Sequence, residues 1–126
     1  MEVHTLDNSK VKSLVAEWYL RKSFEKIKPL AEDLFNNFIK RNNLSFITFN
    51  FSLRNMPIRW GSCTPKGKII LNPELIKAPK GCIEYVIIHE LCHLLHHNHT
   101  QKFLVLQTKE MKDWVKWKMK LEKLLA

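Results

Sequence analysis

Residues 82–99 read CIEYVIIHELCHLLHHNH, and five of the six histidines in the 126-residue chain fall inside them. Ile83, Val86, Ile87, Leu91 and Leu94 cover nearly the whole helical wheel, which marks a central, buried helix starting at about Lys80. Within it, His89-Glu90-Leu91-Cys92-His93 matches H-E-x-x-H. Histidines four apart share one face, one turn above the other, so both imidazoles can reach a single ion. Two buried histidines without partners would be costly, so the cluster is read as a metal site.

Zinc is the default ion, and a catalytic zinc site takes three protein ligands and keeps one position open. Glu90 is rotated by about 100° from His89, too far to be a comparable ligand, but it can take a proton from a water activated by the ion. His96 and His97 would lie about 10 to 12 Å along the axis from His89 if the helix continued. A residue beyond a turn converges better. Asn98 tolerates the left-handed conformation that ends helices, so the helix is expected to stop at His97 or Asn98, with His99 as third ligand. His96 and His97 then stand near substrate, or are solvated cations at the helix end. Cys92, about 100° from the ligand face, is read as core.

Outward from the motif, residues 9–42 carry a helical period: Val11, Leu14, Val15, Trp18, Phe24, Ile27, Leu34, Phe35, Phe38 and Ile39. Asp7 or Ser9 could cap it, and Pro29 predicts a kink or a break into two helices near Lys28. The period then becomes two, with Ser45, Ile47, Phe49, Phe51 and Leu53 on one side of a strand. A second strand is expected at about 58–64, a turn at "TPKG", and a returning strand at "KIILN" that Pro73 stops. Residues 100–125 read as one or two amphipathic helices whose Trp114 and Trp117 are core or lysine-shielded packing. The expected class is α+β, a single domain over 1–126 with helices on a small, mostly antiparallel sheet.

Composition is that of an ordinary globular domain, 45% hydrophobic and 26% charged. No apolar run is long enough to span a membrane, and "MEVHTLDNSK" has no apolar signal core. Three cysteines (Cys63, Cys82, Cys92), an odd count without C-x-x-C, exclude a four-cysteine zinc site and fit a cytoplasmic protein. The net charge of +9 favours anionic partners, nucleic acid among them; a solvated lysine face explains it as well.

Other residues have two readings each. Arg59 alternates with Trp60, so if Trp60 packs inward Arg59 can face the cleft and grip an oxyanion or a phosphate; a surface ion pair is the other reading. Gly61 and Ser62 suit either the close approach of an extended peptide or a plain bulge. Asn72 and Asn98 could orient the ligands from behind.

With these motifs in place, residues 59–103, "RWGSCTPKGKIILNPELIKAPKGCIEYVIIHELCHLLHHNHTQKF", closely resemble the YgjP-like metallopeptidase family, the WGSC-containing zincin-like domains. The matching elements are "RWGSC", Leu71-Asn72, "APKGCIEYVIIHELCH", and Asn98-His99 with Thr100 and Phe103; a looser likeness covers 10–125 and includes "MKDW". The resemblance implies a zincin-like fold, with His89, His93 and His99 as metal ligands and Glu90 as catalytic residue. Two departures stand out. Members carry a strand-rich segment before the first helix, where this chain begins almost at the helix, which suggests an open substrate groove. The family's aromatic pair after the third histidine is reduced to Phe103-Leu104.

The expected function is a zinc-dependent hydrolase of metallopeptidase type, with a peptide or protein substrate. The resemblance also implies an alternative, nucleoside-triphosphate pyrophosphatase chemistry at the same site. SprT-like proteins carry the same helix motif and act on DNA-bound proteins, which would suit the charge. A metal-stabilised, non-enzymatic nucleic-acid-binding module is the reading from another class. Other divalent metals could replace zinc, and the oligomeric state is left open.

Overall fold

The computed structural model describes residues 8–125. A long helix, α1 (Asn8–Arg41), leads into three short strands, β1 (Phe51–Leu53), β2 (Gly61–Cys63) and β3 (Ile69–Leu71). A 3-10 turn (Pro73–Lys77) follows, then α2 (Lys80–Cys92), α3 (Gln101–Glu110) and α4 (Trp114–Leu125). This is the expected α+β class. Of the two candidate caps, Asp7 lies outside the described residues and Ser9 sits within the first turn of α1. No helix among the described residues is long and apolar enough to cross a membrane.

Pro29 does not divide α1, which is continuous over 34 residues. Proline in a helix interior costs about 3 kcal/mol. Against that, Ile27, Phe35 and Phe38 are 4% exposed or less and lie on one stripe with Ala31. Each large side chain so buried contributes about 1.5–3 kcal/mol, so packing wins while Pro29 faces solvent. The expected apolar face is not buried along its whole length. Val11, Leu14, Val15 and Trp18 are 42–52% exposed, because buried positions on α1 begin only at Ser23. There the Ser23 hydroxyl donates to the Pro73 carbonyl at 2.8 Å and ties α1 to the 3-10 turn.

The sheet order is β1-β3-β2, with one antiparallel pairing and one parallel. The turn at Thr64–Gly67, with Gly67 at φ 90°, folds β3 back on β2. β3 then lies between β2 and β1, and this places it parallel to β1; the sheet is therefore mixed. Of the strand expected over 45–53 only Phe51–Leu53 is laddered, since β3 offers three partners. The alternation holds over 46–50, where Ile47 and Phe49 are half-buried while Thr48 and Asn50 are exposed and Phe46 stands 79% exposed; within β1 all three residues are half-buried. Phe49 stacks on Phe51 and leans on Phe35 of α1, at ring separations of 5.8 and 5.2 Å.

Helix α2 is the hub, touching α1, α3, α4, β2 and β3. Its apolar wheel is buried as expected, from Cys82 to Cys92 apart from Glu84 and His89. On the α4 side the contact is close enough that a β-carbon on Gly81 would stand 2.2 Å from the Trp117 ring. Lys116 and Lys120 cover that ring from outside, at 4.7 and 5.0 Å, which is the lysine-shielded packing expected of it.

Candidate metal centre

The motif helix ends at Cys92, about five residues earlier than the sequence suggested. The amides of His93, Leu94 and Leu95 bond three residues back, to Glu90, Leu91 and Cys92, so the last turn tightens and the helix unwinds. The reversal does not use a left-handed Asn98 either: Asn43, at φ 56°, is the non-glycine residue with positive φ among those described. The chain turns instead through Asn98, whose carbonyl accepts from the Thr100 amide at 2.8 Å. Helix α3 starts directly afterwards.

That reversal delivers His99 to the other two histidines. Its Nε2 lies 3.2 Å from Nε2 of His89 and 3.1 Å from Nε2 of His93. The three residues form a cluster whose ligand atoms all lie within 4.8 Å of one another. Ring nitrogens held tetrahedrally at about 2.0–2.1 Å from zinc stand about 3.3 Å apart, so the spacing suits one ion.

The hydrogen bonds behind the rings decide what the cluster offers. His89 donates from Nδ1 to the Gln107 side-chain oxygen at 2.7 Å, and His93 donates from Nδ1 to the His96 carbonyl at 3.1 Å. Each ring therefore turns an Nε2 lone pair inward. These two lone pairs meet the His99 Nε2 at 3.2 and 3.1 Å, where a cation would be held by all three rings. Protons are a poor substitute, since burial holds His89 down to about 4 and also lowers His93. The donor set fits a divalent metal.

Of two further residues in this arrangement, Phe103 entered the sequence reading only through the family resemblance, and Gln107 escaped it. Phe103 is fully buried, with its ring 5.0, 4.7 and 4.8 Å from those of His89, His93 and His99. It is a floor beneath all three imidazoles. Gln107, one turn further along α3, is 1% exposed and holds His89. The signal available in the sequence was an amide four residues after a phenylalanine, on one face of an expected helix. Leu104, the other half of the altered aromatic pair, is 39% exposed and away from the rings.

Glu90 sits beside the cluster and is 6% exposed. Burial raises its carboxyl to about 7, against the opposing charge of Arg59. It packs against Gly61 so closely that a β-carbon there would meet Glu90 Oε2 at 3.0 Å and Val86 Cγ1 at 2.8 Å. Gly61 is therefore a close approach of β2 to α2. Trp60 is half-buried against the core, its indole N–H without a partner, and Arg59 is exposed beside a cavity shared with His89 and Glu90.

The remaining candidates are placed differently. Asn72 is buried, but its side chain donates to the carbonyls of Met56 and Arg59 and caps the 3-10 turn at Glu74, so it fastens the loop before β2. Asn98 is exposed and makes no side-chain hydrogen bond to the three histidines. His96 acts through its backbone carbonyl. His97 lines a second cavity of about 170 Å³ with His93 and the β2–β3 turn. Cys92 is wholly buried and Cys63 half-buried, its thiol pushed up to about 11 by burial and by Glu90.

The two cavities flank the histidines, and β2 runs from one to the other, since Gly61 lines the first and Thr64 the second. Trp60 and Thr64 make the ladder bonds to Asn72 and Lys68. By alternation, Gly61 and Cys63 turn their amides and carbonyls to the open edge of the sheet.

Comparisons with known proteins agree with this architecture. A family model described as "YgjP-like, metallopeptidase domain" matches residues 2–124. Among solved structures, the metallopeptidase zymogen jannalysin of Methanocaldococcus jannaschii is similar, with TM-score 0.63 and 22% identity over 76% of this chain and 97% of that one. The metallopeptidase zymogen abylysin of Pyrococcus abyssi follows, with TM-score 0.52 and 23% identity over 63% of this chain and 77% of its own. At such identities the likeness concerns the fold. No curated protein matches the chain.

Proposed function

Because the chain belongs to the YgjP-like metallopeptidase family, we propose that it is a zinc-dependent peptidase in which His89, His93 and His99 hold the ion and Glu90 is the general base. The observation that carries this reading is the convergence of three imidazole Nε2 atoms, two of them committed as acceptors from behind, beside a buried carboxyl group. A divalent cation held there supplies a Lewis acid that polarises the scissile carbonyl and makes water nucleophilic near neutral pH. Glu90 takes the proton of the attacking water and passes it to the leaving amine. Gln107 and the His96 carbonyl hold two of the imidazoles in the required tautomer. Arg59 faces the same cavity and can steady developing negative charge.

The open edge of β2 suits an extended substrate, which would pair with the free backbone groups of Gly61 and Cys63 and cross the centre between the two cavities. Three free thiols accord with a cytoplasmic site of action. A second reading, hydrolysis of a nucleotide phosphoanhydride, draws on Arg59 and Lys118 beside the cavity. The largely apolar wall of that cavity favours the peptide.

The zinc-loaded protein should cleave unfolded protein or peptide and leave nucleoside triphosphates intact. Glu90→Gln should retain one zinc per chain and lose at least about 100-fold in turnover. Undiminished turnover in Glu90→Gln would remove Glu90 from the chemistry, and cleavage of triphosphate alone would exchange the first reading for the second.

A further inference from the structure

We infer that the cavity beside His89 and Glu90 is a specificity pocket for an aromatic side chain adjoining the bond that is cut; the inference rests on the peptidase reading above. The cavity holds about 220 Å³ and opens between β2 and α2, with α4 as its far wall. That is below the volume of a pocket for a whole small-molecule ligand, about 300–1,000 Å³, and on the scale of one large side chain. Its position is set by the helical period: Tyr85 lies one turn before His89 on the same stripe of α2, so the pocket begins where the metal cluster stops.

The walls are apolar. Val86, Leu121 and Tyr85 are 4%, 5% and 7% exposed, and Trp60 closes the β2 side. Tyr85 is held in place by Trp114, whose ring lies nearly parallel to it at 13° and 6.3 Å. The charged residues of α4 are at the mouth: Lys118 and Glu122 face each other at 3.8 Å with side chains 48% and 62% exposed. They offset one another, and the other charged pair lining the cavity, Arg59 and Glu90, is likewise of opposite sign, so a charged substrate side chain would lose water and meet partners already opposed. A small side chain would leave the walls without contacts. An aromatic ring meets both demands, since Trp60 and Tyr85 offer ring faces and edges to it.

Leu121 belongs to α4 and is outside the hydrolytic machinery, which makes it the residue to vary. Zinc-loaded protein would be assayed on peptides that differ at the residue on either side of the bond, and for binding of acetohydroxamate against its benzyl-bearing analogue. The wild type should prefer phenylalanine to alanine by about 100-fold in kcat/KM and bind the benzyl compound at least about 30-fold more tightly, as expected when several methylene equivalents fill a pocket. Leu121→Trp should cut both preferences to about threefold or less, and Leu121→Phe should lower them part way. If no peptide is cleaved but the hydroxamate preference is present and disappears on filling, the aromatic pocket stands and the peptidase reading falls. Equal binding of the two hydroxamates by the wild type overturns the pocket, whatever the filled variants do.

Discussion

Gln107 shows how much of the proposed centre depends on one side chain behind a histidine. Its oxygen is what commits the Nδ1 proton of His89 and leaves Nε2 an inward acceptor. Gln107→Leu keeps the bulk and removes the acceptor, and should weaken zinc binding by about 10–100-fold in a chelator competition. Glu90 is the costlier group. Its folded carboxyl, near 7, lies above its ordinary 4.5, so between those values the folded state holds the extra proton. In the metal-free protein this contribution to stability is complete below about 4.5 and is lost as pH rises through 7. Glu90→Gln should therefore unfold like the wild type at pH 4 and be more stable at pH 8, by about 1–3 kcal/mol, in denaturant titrations of the metal-free chain. At this scale the sequence was informative about what the H-E-x-x-H spacing controls. It was silent on Gln107 and gave Phe103 no place beneath the rings, because what packs behind a histidine is chosen by the approach of another helix.

Between elements, the close contacts are made at glycines. Helix α4 lies on α2 at Gly81, where a methyl group would stand 2.2–2.5 Å from three Trp117 ring atoms. Gly81→Ala must push α4 outward, and should lower stability by about 1–3 kcal/mol in thermal or chemical unfolding even though alanine is the better helix former. The helical and strand periods announced α1, β1 and α2 correctly as types. Their bounds were less well announced. The strand expected over 45–53 is laddered only at Phe51–Leu53, α1 is not broken at Pro29 because its neighbours on one face are buried, and the end of α2 was drawn back to Cys92 by the bonds that reverse the chain. A local pattern reports what a segment can do alone, whereas helix ends answer to where the chain must go next.

In the molecule as a whole, the ion would join α2 to the segment before α3, which otherwise meet through Phe103 and Gln107. A ligand at 1,000 times its dissociation constant adds about 4 kcal/mol to the folded state. Chelation should lower the melting temperature by about 10 °C, and His99→Ala should show little further loss when the metal is withdrawn. The far end of α3 is anchored separately, where Glu110, its side chain wholly buried, pairs with Arg41 at the end of α1. Residue types and their spacing were enough, without coordinates, to announce two histidines on one helical face, a carboxylate beside them, and a third histidine past a turn. For the pair on α2 they were enough because helical geometry is a short-range property set by neighbours in the chain; the turn before His99 was announced as a turn, but it is made without the left-handed Asn98 expected of it. The floor under the rings, the acceptor behind His89, the apolar pocket closed by α4 and the mixed order of the sheet come from residues far apart in sequence. Those were decided only when burial of the α2 wheel drew α1, α3, α4 and the sheet around it.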